Sequence, residues 1–161
     1  MNENLLQNLH AFLARATKAT YAGGGKETDS WRPGFKEMDY REEEWYYRDS
    51  YTGFLKSWGQ EVVWLNEKPF WTCLYGGGMS NNYMNAEFAH ETFDFLKKAL
   101  SSGDKGASFQ PRGPKEFIDG TWEYGCKTHG NIESFHGVEH IQYKGEIVFH
   151  HRFFGGTVVS S

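Results

Sequence analysis

A chain of 161 residues with a formal net charge of -4 is long enough to bury a sizeable core and lacks the basic footprint of a nucleic-acid surface. Charged residues make up 24% and apolar residues 39%, an ordinary balance for a soluble protein, so direct double-stranded DNA binding is not expected. No stretch approaches the roughly eighteen consecutive apolar residues of a spanning helix, and MNENLLQNLHAFLARATK is no secretory leader, so a cytoplasmic setting without a membrane partner is expected.

In chain order, Asn4 to Lys18 places Leu5, Leu6, Leu9, Phe12, Leu13 and Ala16 on one helical face. Tyr21-Ala22-Gly23-Gly24-Gly25 ends that helix. Lys36–Arg41 and Trp45–Tyr51 alternate as strands around Glu42-Glu43-Glu44. Gly59–Leu65 and Pro69–Tyr75 form a second hairpin across Asn66-Glu67. Asn85 caps a second helix over Ala86 to Leu100, and Ser101 to Pro114 reads as a flexible connector.

The pattern then returns. GVEHIQYKGEIVFHHRFFGGT (137–157) repeats GQEVVWLNEKPFWTCLYGGGM (59–79) at an offset of seventy-eight residues, with Gly59/Gly137, Glu61/Glu139, Gly77/Gly155 and Gly78/Gly156 identical. Lys115-Glu116 echoes Lys36-Glu37, and Trp122-Glu123-Tyr124 echoes Trp45-Tyr46-Tyr47. The expectation is one α+β domain over 1–161: a duplicated α-β-β-β-β unit (1–80 and 81–161) with antiparallel sheet packed on two helices.

FLARATKATYAGGG (12–25), YREEEWYYRDSY (40–51), GQEVVW (59–64) and the terminal YKGEIV–GG carry a likeness to a known group. On them the chain resembles an uncharacterised bacterial domain family found alone or behind XRE-type helix-turn-helix domains in predicted regulators. That resemblance implies a sensor coupled to a DNA reader and no catalytic motif. This sequence shows no reader of its own, because glycines follow its first helix.

Counting back from a Lys144-Gly145 turn, Ile141 opposes Val148, Glu139 opposes His150 and Gly137 opposes Arg152, so Glu139, His150 and Arg152 share a face. The first-half equivalents are Glu61, Thr72 and Leu74. The other face then carries Trp58, Val62, Trp64, Trp71, Cys73 and Tyr75, and in the second half Val138, His140, Ile147, Phe149, His151 and Phe153. With large apolar groups on both faces, one packs the helices and the other meets the second half, a ligand or a partner subunit.

Three function classes follow. The leading one is a non-catalytic small-molecule-binding domain, a sensor or a sequestering protein. Its cavity is lined by Trp45, Tyr47, Arg48, Glu61, Trp64, Trp71, Tyr75, Glu139, His150 and Arg152, and takes a flat or anionic, nucleotide-like ligand. Gly23, Gly24, Gly25, Gly76 and Gly77 are anion-loop candidates, although they match no phosphate-loop signature. The second class is an acid/base hydrolase or isomerase using Glu139 and His150. The third is an interaction module whose aromatic face forms a homodimer. Scattered histidines, without metal-type spacing, give no metal site, and no cofactor is implied. Cys73 and Cys126 read as buried free thiols.

Overall fold

The computed structural model describes residues 2–21, 24–102 and 109–159. Helix α1 (Glu3–Ala19) begins where the Asn2 side chain accepts the Asn4 amide, and it buries Leu9, Phe12, Leu13 and Ala16, the face its spacing predicts. Strands β1 (Lys36–Glu42), β2 (Trp45–Gly53), β3 (Lys56–Leu65) and β4 (Lys68–Met79) follow as hairpins. A short helical turn, Asn81–Tyr83, leads to α2 (Ala86–Ser102), where Asn85 accepts the Phe88 amide as its cap. Strands β5 (Glu116–Asp119), β6 (Trp122–Asn131), β7 (Ser134–Tyr143) and β8 (Glu146–Thr157) complete the chain. Among the described residues, no helix is long and apolar enough to cross a membrane.

All eight strands form one antiparallel sheet in the order β1-β2-β3-β4-β8-β7-β6-β5. The fold is therefore α+β, with β4 and β8 meeting at the centre and, among the described residues, no second sheet for either face to pack on. Both helices lie on one face, where Phe12 stacks on Trp45, Phe95 on Trp122, and Phe93 meets Phe149 edge-on. The hairpin turns at Asn66-Glu67 and Lys144-Gly145 have positive φ at both central residues, the geometry that matches strand twist.

Two β-bulges change which side chains share that face. Pairing runs Val63–Trp71 but Trp64–Pro69, and Ile141–Phe149 but Gln142–Ile147, so Phe70 and Val148 are the extra residues. A one-residue slip turns every later side chain to the opposite face. The expected register is corrected accordingly. Glu139 opposes His151 rather than His150, Gly137 opposes Phe153 rather than Arg152, and Glu61 opposes Cys73 rather than Thr72. Trp71, Cys73, Tyr75, Phe149, His151 and Phe153 therefore join Glu61 and Glu139 under the helices. Trp58, Val62, Trp64, Leu74, Val138, His150, Arg152 and Phe154 lie on the other face, where Trp58 is 63% and Phe154 59% exposed.

Gly77 lies near the end of β4, between Ser57 of β3 and His151 of β8, with φ at +142°. A Cβ there would sit 2.2 Å from the His150 carbonyl oxygen. Gly77→Ala is expected to cost about 2 kcal/mol or more, roughly 5 °C of melting temperature. Gly145→Ala, at a turn with no atom within 4 Å, is expected to cost about 1 kcal/mol. Thermal melts of the two variants side by side check the contrast.

Candidate functional site

The sheet face under the helices carries polar groups where a core would be apolar. Asp49 and Glu61 are neighbours on β2 and β3, and Glu139 and His151 are neighbours on β7 and β8. All four are buried. Between the two carboxylates Glu61 and Glu139 sits Arg112, delivered by the segment ahead of β5. Its Nη1 donates to Glu61 Oε1 at 2.9 Å, and its Nε and Nη2 reach Glu139 Oε1 at 3.0 and 2.9 Å. The guanidinium also stacks 4.5 Å from the centre of the Tyr75 ring.

The neighbours of Arg112 fix its position. The Gly113 amide donates to the Tyr124 hydroxyl at 3.0 Å, which in turn donates to Glu139 Oε2 at 2.7 Å. His151 Nδ1 lies 3.2 Å from Glu139 Oε1. Burial alone pushes the Glu139 carboxyl up, but the Arg112 charge and then the hydrogen bonds from His151 and Tyr124 override it and bring its pKa down to about 2. Burial holds His151 below the usual imidazole value despite Glu139 beside it.

Asp49 differs in kind. It accepts the Tyr75 hydroxyl at 2.7 Å, with the Tyr75 ring folded across Gly59, where a Cβ would meet the ring at 2.4 Å. Among the described residues Asp49 forms no ion pair. Burial raises its pKa to about 6, against the pull of Tyr75 and the more distant Arg112. Asp49 opens into a cavity of about 350 Å³ between the sheet, α2 and the end of α1, within the range of small-molecule sites. The walls are Tyr47, Tyr51, Tyr75 and Phe149 from the sheet, and Tyr21, Phe54 and Phe93 from around it. Glu61, Arg112, His151 and Ser57 also line it, as do Lys36, His90, Asp94 and Lys97.

Of the expected site residues, Tyr47, Glu61 and Tyr75 line the cavity, and Glu139 lies against Arg112 and His151. Trp45 and Trp71 are core. Trp45 packs on Phe12, and the Trp71 indole donates to the Ile132 carbonyl at 3.0 Å. Arg48, Trp64, His150 and Arg152 are on the far side of the sheet, so the grouping of Glu139 with His150 and Arg152 does not form. Arg48 is taken up by Glu37 and by the Trp31 ring 3.7 Å away. Gly76 and Gly77 are paired on both sides within β4, a strand rather than an anion loop. The amides of Gly24 and Gly25 bond to the Tyr21 and Thr20 carbonyls, and Gly23 lies outside the described residues. Cys73 and Cys126 are free and buried.

Sequence reasoning missed Arg112, Asp49, Tyr51, His151 and Ser57. Asp49 had a signal, since it is in phase with Trp45, Tyr47 and Tyr51 on one alternating strand. His151 was hidden by the bulge, and Arg112 by a connector with no periodicity.

Arg112→Met would leave two buried carboxylates without their cation and is expected to destabilise by about 3–5 kcal/mol in urea titration. Asp49 acts in the opposite sense. Its proton is held more tightly in the folded state, so its contribution is present below its ordinary value of 3.8 and is lost as pH rises through 6. Asp49→Asn should therefore be more stable than the parent at pH 7.5, by up to about 3 kcal/mol, with the gain vanishing near pH 4. Urea titrations at the two pH values check it.

A family model for DUF5680, a domain of unknown function, matches residues 49–158, a stretch that holds Asp49, Arg112 and His151 together with Glu61 and Glu139. No curated protein and no solved structure matches the chain. The match spans well over half of the sequence, and the chain belongs to the DUF5680 family.

Proposed function

We propose that this domain is a small-molecule receptor whose ligand is flat and presents N–H donors, or a positive charge, to Asp49. The observation that carries this reading is a buried carboxylate, without an ion-pair partner among the described residues, at the inner end of an aromatic cavity of about 350 Å³. A group kept at such an energetic disadvantage is more readily explained by a ligand than by folding. Tyr47, Tyr51, Tyr75 and Phe149 suit a planar ring. The carboxylates Asp49 and Glu61, with Arg112 already held by Glu61 and Glu139, argue against an anionic group at this inner end. A nucleotide-like ligand fits with its base inside and its acidic groups toward Lys36 and Lys97.

As a sensor, such a domain would report occupancy to a DNA-reading partner, in keeping with the regulators its sequence resembles; as a sequestering protein it would simply withhold the ligand. A second reading, an interaction module or homodimer, draws support from Trp58, Leu74, Val138 and Phe154 exposed on the far face of the sheet. Gel filtration separates it, since a strict monomer removes the homodimer.

Benzamidine and 2-aminopyridine are suitable cationic, planar probes, with benzoate as the anionic control. The two cations are expected to raise the melting temperature in proportion to the logarithm of their concentration, and Asp49→Asn to abolish the rise. Stabilisation by benzoate alone, or by none of the three, would sink the reading.

A further inference from the structure

We propose that Ser57, His151 and Glu139 form a nucleophilic relay on the cavity wall, with Ser57 accepting acyl groups from small carboxylic esters. The row across the sheet runs Ser57, Gly77, His151, Glu139 on β3, β4, β8 and β7. Side chains two strands apart ordinarily cannot meet, because the intervening residue fills the gap at a strand spacing of about 4.8 Å. Here that residue is Gly77, and Ser57 Oγ reaches His151 Nε2 across it at 3.4 Å. The other imidazole nitrogen, Nδ1, faces Glu139 Oε1 at 3.2 Å. A neutral imidazole donating from Nδ1 to a carboxylate leaves the Nε2 lone pair aimed at the serine hydroxyl, the arrangement of an activated serine. A nucleophile–base distance slightly beyond hydrogen-bond optimum is usual before substrate binds.

The surroundings support the assignment. Glu139 is held in place by Arg112 and Tyr124, so the acid that orients the imidazole is rigid. Ser57 and His151 both line the cavity, and Ser57 is half-buried, which leaves its hydroxyl accessible to a molecule inside. The repeat position equivalent to Ser57 is Phe135 and that equivalent to His151 is Cys73, so the relay exists on one side only.

The chemistry balances with water as the only co-reactant. Ser57 Oγ bonds to the ester carbonyl carbon as its proton passes to His151 Nε2. The acyl–oxygen bond breaks, and the departing alkoxide takes that proton and leaves as alcohol. Water then attacks the acyl-serine, giving its proton through Nε2 to the Ser57 oxygen and releasing the carboxylic acid. The relay stands on these three side chains and the cavity, independently of which ligand Asp49 selects.

The test uses the intact protein with phenylmethylsulfonyl fluoride and, separately, p-nitrophenyl acetate, read by intact mass and peptide mapping. With the fluoride reagent, the Oγ–sulfur bond forms, the sulfur–fluorine bond breaks and hydrogen fluoride leaves. The expected result is a single stable adduct on Ser57 with the fluoride reagent, and with p-nitrophenyl acetate a transient acetyl-Ser57 with release of p-nitrophenol, each absent in Ser57→Ala and formed at least about tenfold more slowly in His151→Asn. No adduct, an adduct on another residue, or labelling unaffected by folded His151→Asn overturns the proposal. Ser57→Ala removes only a half-buried hydroxyl, so its comparison with the parent decides the nucleophile even where His151→Asn fails to fold. Labelling of Ser57 and stabilisation by benzamidine are separate readouts, so one can fail without the other.

Discussion

One guanidinium between two buried carboxylates organises this molecule. Glu61 belongs to the first four strands and Glu139 to the last four, and Arg112 ties both to the segment that connects them. Each ion alone would lose several kcal/mol of hydration on burial, and only close, multidentate pairing offsets it. The planar guanidinium can satisfy two acids at once, as a lysine ammonium could not do with the same geometry. Everything polar nearby follows from that placement: Tyr124 and Gly113 lock the pair, Tyr75 stacks on it, and His151 takes its tautomer from the same Glu139 oxygen.

The cluster also holds more acid than base, and this imbalance gives the cavity its character. Arg112 is shared by Glu61 and Glu139, which leaves Asp49 leaning on a tyrosine hydroxyl. Aromatic rings surround it and leave it only 4% exposed, so little of the charge meets solvent. The far face of the sheet is different in composition. There Arg48 closes a network with Glu37, Ser50 and Arg32, while tryptophan and phenylalanine stand in the open. The chain thus separates two kinds of surface by the thickness of one sheet.

Much of the fold was legible in the sequence because its signals are local. The α1 face, the Asn85 cap, the hairpin turns and the strand order within each hairpin follow from spacing and turn chemistry within a few residues. The site was only half legible, for a specific reason. Tyr47, Glu61 and Tyr75 lie where alternation along their own strands puts them, but a bulge at Phe70 and another at Val148 break the count across the hairpins. Neither residue type announces a bulge. Arg112 was illegible for the converse reason: it sits outside any periodic element, and its role is defined only by partners 51 and 27 residues away.

The bulges also change what a lesion in these strands means. Phe70 and Val148 are spacers that take up one extra residue without a partner of their own. Removal of Val148 alone would leave Ile141 with Phe149 and Gln142 with Ile147 as consecutive pairs, so the bulge would become regular ladder. His151 and Phe153 would stay under the helices, and His150, Arg152 and Phe154 on the far face. An extra residue inserted between paired positions has no such slack and turns the strand beyond it over, so the two bulges are the places where these hairpins can lose a residue and keep the same cavity.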